Sequence, residues 1–272
     1  MTDDIDVNDP DTSRWLSGNR DLRMDANNPL FDEVRRAFHL DRYRFAQAYC
    51  QGQRVLDGAC GTGYGSALLG TVASEVHGID LSRDAVAYAR QNYARDNVHF
   101  TNGCVELTPF DDDYFDVVVS FETIEHTLSP QAALAEFVRV MKPDGQLILS
   151  IPNNWGLTAY HFYDFNLATT NELLDKYFKH KELYYNNSGG RKKQQPKGIG
   201  RLAEIGPDRA ECLLAVCSAP VKEAVVLQEH RTMAVLNEIY AAVFARHEEY
   251  RRLYKYRGGR IARFFRRLRG IK

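Results

Sequence analysis

A glycine-rich segment at residues 54–66 constrains the fold of this chain more than any other feature. It reads RVLDGACGTGYGS: a short apolar run ends in an acid, and four glycines fall within eight positions. Apolar residues resume at 67–69 in helical spacing. Only glycine lacks a Cβ atom, so it accepts a positive φ and lets a ligand contact the main chain. The segment therefore predicts a strand, a tight turn and a helix that hold a nucleotide-like ligand against the backbone.

Strands and helices alternate along most of the chain. The spacing of apolar residues predicts one bent helix or two short ones over residues 30–49, ahead of the glycine-rich segment, and a late helix over 171–178. Apolar runs predict strands at residues 54–58, 75–80, 98–102, 115–121, 146–151, 181–185 and 211–217. This pattern predicts an α/β fold with a doubly wound, mainly parallel sheet, an N-terminal helical cap and a C-terminal helical tail.

The two ends of the chain differ from its middle in composition. Residues 1–25 are acidic and poor in apolar side chains, which predicts a disordered leader; residues 26–220 form the predicted main domain and 221–272 a helical extension. Residues 251–272 hold ten Lys or Arg and no acid, so the first 250 residues keep 25 basic against 36 acidic side chains, a net charge of −11. The main domain therefore repels polyanions, and no nucleic-acid partner is expected.

The basic end of the chain, residues 258–272, has the pattern of an amphipathic helix. Ile261, Phe264 and Leu268 share one face with Phe265, and arginines occupy the other face. This pattern predicts binding to an anionic membrane surface. Docking of the apolar stripe on the protein's own body or on a partner subunit is the alternative.

Other features bear on the compartment and on metal binding. No run is long and apolar enough to span a bilayer, the N-terminus lacks the apolar core of a secretory signal, and the five cysteines show no disulfide pattern. We therefore expect a cytoplasmic protein that is peripheral at the inner face of the membrane. His39, His77 and His99 show no metal-ligand spacing, so no metal site is predicted.

Two acids distinguish between the candidate ligands of the glycine-rich segment. A dinucleotide fingerprint needs a third glycine where Ser66 stands. Asp57 precedes the glycines, where its carboxylate would repel a pyrophosphate but suits an ammonium group. Asp80 ends the second predicted strand, where an acid can accept both hydrogen bonds of a ribose diol. An ammonium partner and a ribose partner without a phosphate cradle favour S-adenosylmethionine over NAD.

The run DGACGTG at residues 57–63 resembles the first motif of class I S-adenosylmethionine-dependent methyltransferases. The resemblance continues in order through residues 78–82, 113–126 and 141–145 and covers roughly residues 40–218. It implies a seven-stranded, Rossmann-like methyltransferase fold whose last strand is antiparallel. Residues 42–46, 61–66 and 212–220 resemble, within that family, methyltransferases of bacterial surface-polysaccharide and O-antigen assembly.

The resemblance also implies which residues hold the cofactor. The first-motif acid and glycines would hold the methionine end, Asp80 the ribose, and Leu81 would lie beside the adenine. The full predicted set is Tyr43, Asp57, Gly58, Ala59, Gly61, Gly63, Asp80, Leu81, Cys104, Val105, Phe121 and Glu122. Family members often carry an Asp after the third strand to bind the adenine, where this chain has GCVE at 103–106. Either the backbone or Glu106 would then contact the adenine.

Candidates for the chemistry follow the fourth and fifth predicted strands. His126 is the predicted general base, because its ordinary pKa lies near neutrality; packing against the adjoining helix is the alternative. Aromatic and polar residues after the fifth strand either cover an acceptor or only pack their loop: Trp155, Tyr160, His161, Tyr163 and Asp164. The predicted reaction is O-methylation of a sugar or similar small molecule. The alternatives are a nicotinamide-dependent oxidoreductase and a non-catalytic scaffold tethered by its basic tail.

Overall fold

The computed structural model describes residues 33–157, 161–189 and 196–224. The predicted leader at 1–25, most of the extension at 221–272 and the basic segment at 258–272 lie outside the described residues, as does Tyr160. No helix in the described ranges is long and apolar enough to cross a membrane.

Eight strands form one mixed sheet. In chain order they are β1 (Arg54–Gly58), β2 (Glu75–Asp80), β3 (Val98–Asn102), β4 (Phe115–Phe121), β5 (Met141–Pro152), β6 (Phe178–Asn187), β7 (Gly198–Arg201) and β8 (Cys212–Pro220). Their order across the sheet is β3-β2-β1-β4-β5-β8-β6-β7. Strands β1 to β5 are parallel, and β8 lies antiparallel between β5 and β6. The predicted doubly wound sheet with a late antiparallel strand is confirmed.

The eighth strand is the difference from the predicted seven. It is β7, which pairs antiparallel with the end of β6 at the edge of the sheet. The strand is four residues long, contains two glycines and is nowhere fully buried. A short half-exposed edge strand has no apolar run to reveal it, so the sequence predicts no strand there.

Six α-helices lie among the described residues: α1 (Glu33–Cys50), α2 (Tyr64–Leu69), α3 (Arg83–Tyr93), α4 (Pro130–Val140), α5 (Leu167–Leu174) and α6 (Leu202–Ile205). The Ser82 and Ser129 side chains accept hydrogen bonds from backbone N–H groups in the first turns of α3 and α4. The late helix predicted at 171–178 is misplaced. It begins earlier because Asn166 and Thr169 form a capping box at its start.

Helices cover both faces of the sheet. The side chain of Val118 in β4 packs in a core with Phe137 of α4 and Leu173 of α5. Its neighbours Val117 and Val119 point to the opposite face, in a second core with residues of α1, α2 and α3. This alternation explains the apolar run at 115–121, since each residue of a central parallel strand is buried on one face or the other.

Candidate functional site

Three residues with strained backbone conformations lie at the edge of the sheet where the parallel strands end. Ala59 and Glu122 directly follow β1 and β4, and Asn154 is the second residue after β5. Each has a positive φ, between 51° and 63°. Residues with a Cβ rarely adopt this conformation, and in folded proteins it concentrates at functional sites. The carboxyl edge of the sheet is therefore the candidate site, as the topology also favours.

Two glycines after β1 have different roles in the turn. Gly63 has a φ of +87°, and a Cβ on it would lie 2.7 Å from the Cβ of Ala89 and 2.8 Å from the Phe100 ring. The turn therefore packs tightly on α3 and β3 at this point. Gly61 has a φ of +58°, but a Cβ there would meet nothing within 4 Å. The backbone at Gly61 thus faces open space, where a ligand can contact it.

Asp57 is a buried acid at the end of β1. It is 1% exposed, and its carboxylate accepts hydrogen bonds from the hydroxyls of Ser66 (2.6 Å) and Tyr43 (3.4 Å). Burial raises the pKa of Asp57 to about 7, although both hydrogen bonds favour the ionised form; the negative charge of Asp80 raises it further. Among the described residues no cation pairs with this carboxylate, so the fit with an ammonium group is good.

Asp80 holds the glycine turn in place. Its carboxylate accepts hydrogen bonds from the backbone N–H groups of Gly61 (2.9 Å) and Ser82 (2.8 Å). An ionised carboxylate has about four acceptor positions, so it can still accept hydrogen bonds from a ribose diol. The sequence predicted the ribose contact but missed this structural role, because the turn's hydrogen bonds are not visible in the residue pattern.

The region predicted to hold an adenine contains a small apolar cluster. Cys104 is buried against Leu81, Leu107 and Leu128. The carboxylate of Glu106 accepts a hydrogen bond from the Ser129 N–H (2.7 Å) at the start of α4. Glu106 therefore supports a helix, which leaves the backbone of 103–105 as the better adenine contact. The Val105 side chain packs in the core, so only its main chain is available.

A buried ion pair lies behind the site. Arg42 of α1 is 1% exposed, and its NH1 atom is 3.4 Å from Oε1 of Glu122. The Arg42 Nε donates to the amide oxygen of Asn186 (2.9 Å), and the Ser150 hydroxyl donates to Glu122 (2.8 Å). Burial works to lower the pKa of Arg42, but attraction to Glu122 and its neighbours raises it overall, so the guanidinium stays charged.

This arrangement gives Glu122 a structural role that the sequence did not predict. Its carboxylate is paired with Arg42 and accepts a hydrogen bond from Ser150, and its contact with the cofactor stays a prediction. Phe121 packs its ring edge-on against Tyr43, with 5.0 Å between ring centroids. Arg42 and Asn186 were missed as site residues, because nothing in a sequence places α1 and β6 side by side.

Several buried polar atoms near the ion pair have no hydrogen-bond partner among the described residues. They are NH2 of Arg42, Nδ2 of Asn186 and both carboxylate oxygens of Glu125. A buried polar group without a partner costs roughly 1–3 kcal/mol, and native proteins contain few of them. Such a concentration of unpartnered donors and acceptors indicates a site where a polar ligand would supply the missing hydrogen bonds.

Glu125, His126 and His161 form a compact group beside this network. A 3-10 turn, Ile124–His126, follows β4 and positions the first two. Glu125 is 1% exposed, and burial together with the charge of Glu122 raises its pKa well above the usual range. His126 is 34% exposed, and its ring lies edge-on to that of His161 with 4.8 Å between centroids.

Residues 153–157 and 161–165 follow β5, and they contact this group through His161. The Trp155 Nε1 donates to the Glu211 carbonyl, the Tyr163 hydroxyl to the Leu128 carbonyl, and the Asp164 carboxylate accepts from the Gly156 N–H. These three side chains hold the segment in place, in agreement with the packing interpretation. Residue 162 is also anchored, since its N–H donates to the Glu125 carbonyl (2.8 Å). Of the predicted covering residues that are described, His161 is the one in ring contact with His126.

Comparison with known proteins agrees with this geometry. Residues 56–149 match the family model described as "Methyltransferase domain". The chain is 35% identical over 134 residues to a probable S-adenosylmethionine-dependent methyltransferase of Mycolicibacterium smegmatis, covering 46% of this chain and 51% of that one. It is 35% identical over 105 residues to an O-methyltransferase of Penicillium expansum, covering 37% and 38%. The chain thus matches about half or less of the length of these relatives.

A solved structure shows the same fold. The chain superposes on a protein of Thermotoga maritima, described as a methyltransferase and possible histamine N-methyltransferase, with a TM-score of 0.54 and 18% identity. The match covers 77% of this chain and 95% of that one. At this identity the likeness establishes the architecture, which is the one predicted from the order of strands and helices.

Proposed function

We propose that this chain, in which residues 56–149 form a methyltransferase domain of the class I S-adenosylmethionine-dependent family, transfers a methyl group from S-adenosylmethionine to an oxygen of a small acceptor such as a sugar. The observation that carries the proposal is Asp57, a buried acid with no cationic partner among the described residues, beside a glycine turn that is open at Gly61. The names of the related proteins support the methyl donor, and one relative is an O-methyltransferase.

The residues of the turn suit this donor better than a dinucleotide. Asp57 would hold the ammonium group, Asp80 the ribose, and the main chain around Gly61 would lie against the ligand. The pKa of Asp57 is already raised in part by the charge of Asp80, and a pyrophosphate would add further negative charge to the same place. This electrostatic argument disfavours the nicotinamide-dependent oxidoreductase.

The acceptor would meet the polar network next to the turn. S-Adenosylmethionine supplies an electrophilic methyl group on a sulfonium. The unpartnered donors of Arg42 and Asn186 are buried behind the site, so a hydroxyl or carbonyl oxygen of an acceptor such as a sugar would have to enter the network to accept from them. An acceptor hydroxyl must lose its proton as the oxygen–carbon bond forms, and His126 at the partly exposed mouth is the candidate base.

Calorimetry and turnover test this proposal. Wild-type protein should bind S-adenosylhomocysteine and not NADH, and the reverse result would favour the oxidoreductase. The His126→Ala variant should bind S-adenosylhomocysteine normally. During turnover it should form S-adenosylhomocysteine, the product of methyl transfer, far more slowly than the wild type does. His180→Ala is a matched control, since His180 is exposed and pairs with Ser218 near the opposite end of the sheet. Unchanged turnover in His126→Ala would remove this histidine from the chemistry.

The basic segment at 258–272 gives a location for this activity. An amphipathic cationic helix would hold the domain at an anionic membrane surface, where a glycan acceptor linked to lipid is within reach. This part of the proposal, with the cytoplasmic location, rests on the sequence alone. A non-catalytic scaffold would bind the cofactor in the same way but would form no methylated product.

A further inference from the structure

We infer that Glu125, His126 and His161 form a divalent-cation site at the mouth of the acceptor pocket. One ligand atom from each residue lies within 4.8 Å of the other two. The inference rests on the proposed function, because the site would act on the acceptor of that reaction. It departs from the sequence-based expectation of no metal, which considered His39 of α1, His77 of β2 and His99 of β3.

The three ligand atoms lie near enough for side-chain rotations to bring them around one ion. Tetrahedral ligands at about 2.1 Å from an ion are about 3.4 Å apart, so the longest separation would have to shorten by roughly 1.4 Å on binding. The three residues come from two anchored segments: the turn after β4 and the segment after β5. The Glu125 carbonyl accepts the N–H of residue 162, which ties the two segments together next to the ligands.

Glu125 is the observation that points to a cation. Both of its carboxylate oxygens are buried and lack a hydrogen-bond donor among the described residues. The Nε2 atom of His126 is 3.5 Å from Oε1 of Glu125, beyond the length of a normal hydrogen bond. The carboxylate therefore does not orient His126 as it would in a Glu–His base pair. A cation between these groups would give the Glu125 carboxylate a partner.

The donor set indicates the kind of ion. Two imidazoles and one carboxylate are typical of Zn²⁺, Fe²⁺ and Mn²⁺, whereas Ca²⁺ and Mg²⁺ prefer oxygen ligands alone. Three protein ligands leave coordination positions open, and His126 is partly exposed, so those positions are accessible to an acceptor. A cation there would bind the acceptor hydroxyl and ease loss of its proton to solvent.

This assignment changes the role of His126. With a cation bound, His126 is a ligand rather than the base, and His161 becomes as important as His126 for the reaction. A base without a metal needs no second histidine. The two accounts of His126 therefore differ in what they predict for variants of His161.

Manganese binding tests the inference directly. The full chain is stripped with a chelator and titrated with Mn²⁺, and the electron paramagnetic resonance signal of free Mn²⁺ reports binding. Wild-type protein should bind one ion per chain, and Glu125→Gln and His161→Ala should each weaken binding at least about tenfold. His161→Asp should restore much of the affinity, because it returns a ligand atom. His180→Ala is the control and should bind as the wild type does.

S-Adenosylhomocysteine binding separates this inference from the proposed function. Glu125→Gln and His161→Ala should keep wild-type affinity for S-adenosylhomocysteine, which also shows that they are folded. Absence of Mn²⁺ and Zn²⁺ binding at millimolar concentration, or equal Mn²⁺ affinity in wild type and both variants, would overturn the cation site and leave the methyltransferase proposal standing. Absence of S-adenosylhomocysteine binding would overturn the methyltransferase proposal whatever the result with Mn²⁺.

Discussion

Replacing Asp57 with asparagine tests whether this buried carboxylate is the partner of the ligand's ammonium group. In the free protein, burial raises the pKa of Asp57 from 3.8 to about 7. A carboxyl whose pKa is higher in the folded state stabilises the fold below the unfolded pKa and loses that contribution as the pH rises through the folded pKa. The wild type therefore loses stability from Asp57 between about pH 4 and pH 7. The asparagine variant has no such loss.

The size of the effect follows from the two pKa values. They differ by about three units, which at 1.36 kcal/mol per unit amounts to roughly 4 kcal/mol. As the pH rises from about 4 to 8, the free energy of unfolding of the wild type should therefore fall by about this amount relative to that of Asp57→Asn. The comparison of two proteins at each pH cancels the titration of all other groups.

Ligand binding should show the opposite dependence. The ionised carboxylate attracts an ammonium group, so wild-type affinity for S-adenosylhomocysteine should rise about fivefold from about pH 6 to pH 7 as Asp57 ionises. In this range the ligand's α-amino group stays protonated. Asp57→Asn should bind more weakly at pH 7, with little dependence on pH.

The assay is urea unfolding at a series of pH values, combined with calorimetry of S-adenosylhomocysteine. Asp116→Asn is a control of opposite sign: burial works to raise the pKa of Asp116, but hydrogen bonds from Lys142 and the Arg54 N–H lower it overall. Asp116 therefore stabilises the wild type above the unfolded pKa, and that contribution is lost as the pH falls. The reasoning would be refuted if the free energy of unfolding changed with pH in the same way in wild type and Asp57→Asn, and if the ligand affinity of the wild type did not depend on pH.

Three further predictions concern the turn, the ion pair and the basic segment. Gly63→Ala should lower the free energy of unfolding by about 2 kcal/mol or more, because it adds a clash to a left-handed φ, whereas Gly156→Ala, with open space around it, should cost only about 1 kcal/mol in the same thermal denaturation. Arg42→Met should lower the free energy of unfolding in urea by about 3–5 kcal/mol, because it leaves Glu122 without its cation. The double variant Arg42→Met/Glu122→Gln should recover part of this loss. No recovery would show that the loss comes from packing and not from charge. Deleting residues 258–272 should abolish sedimentation with anionic vesicles and leave S-adenosylhomocysteine affinity unchanged; equal sedimentation of both forms would contradict the membrane proposal.

The parts of the fold that the sequence predicts are those with strong local signals. The glycine turn is one, because the conformation at Gly63 and the open face at Gly61 both require the absence of a Cβ. The apolar run at 115–121 is another, since a central parallel strand buries most of its residues. Strand β7 has neither signal. Its pairing depends on β6, which is close in space but separated from it in sequence by residues 188–197.

The site is predictable where one segment supplies it and not where distant segments meet. Asp57 and Asp80 lie at strand ends within consecutive units, and their place at one edge follows from the topology. Arg42 reaches Glu122 from α1, and His161 meets His126 from the segment after β5. Such contacts depend on how loops pack over the sheet, for which a single sequence carries no local pattern.

Transfer of a tritiated methyl group from S-adenosylmethionine to an acceptor is the most direct test of the proposed activity. The full chain is incubated with the labelled donor and a cell-envelope extract, and the labelled product is isolated and identified. The account predicts a label on oxygen in a carbohydrate or similar small molecule, lost in Asp57→Asn at a donor concentration that saturates neither protein. A label on carbon or nitrogen would contradict O-methylation, and cofactor binding without any labelled product would contradict the enzymatic role.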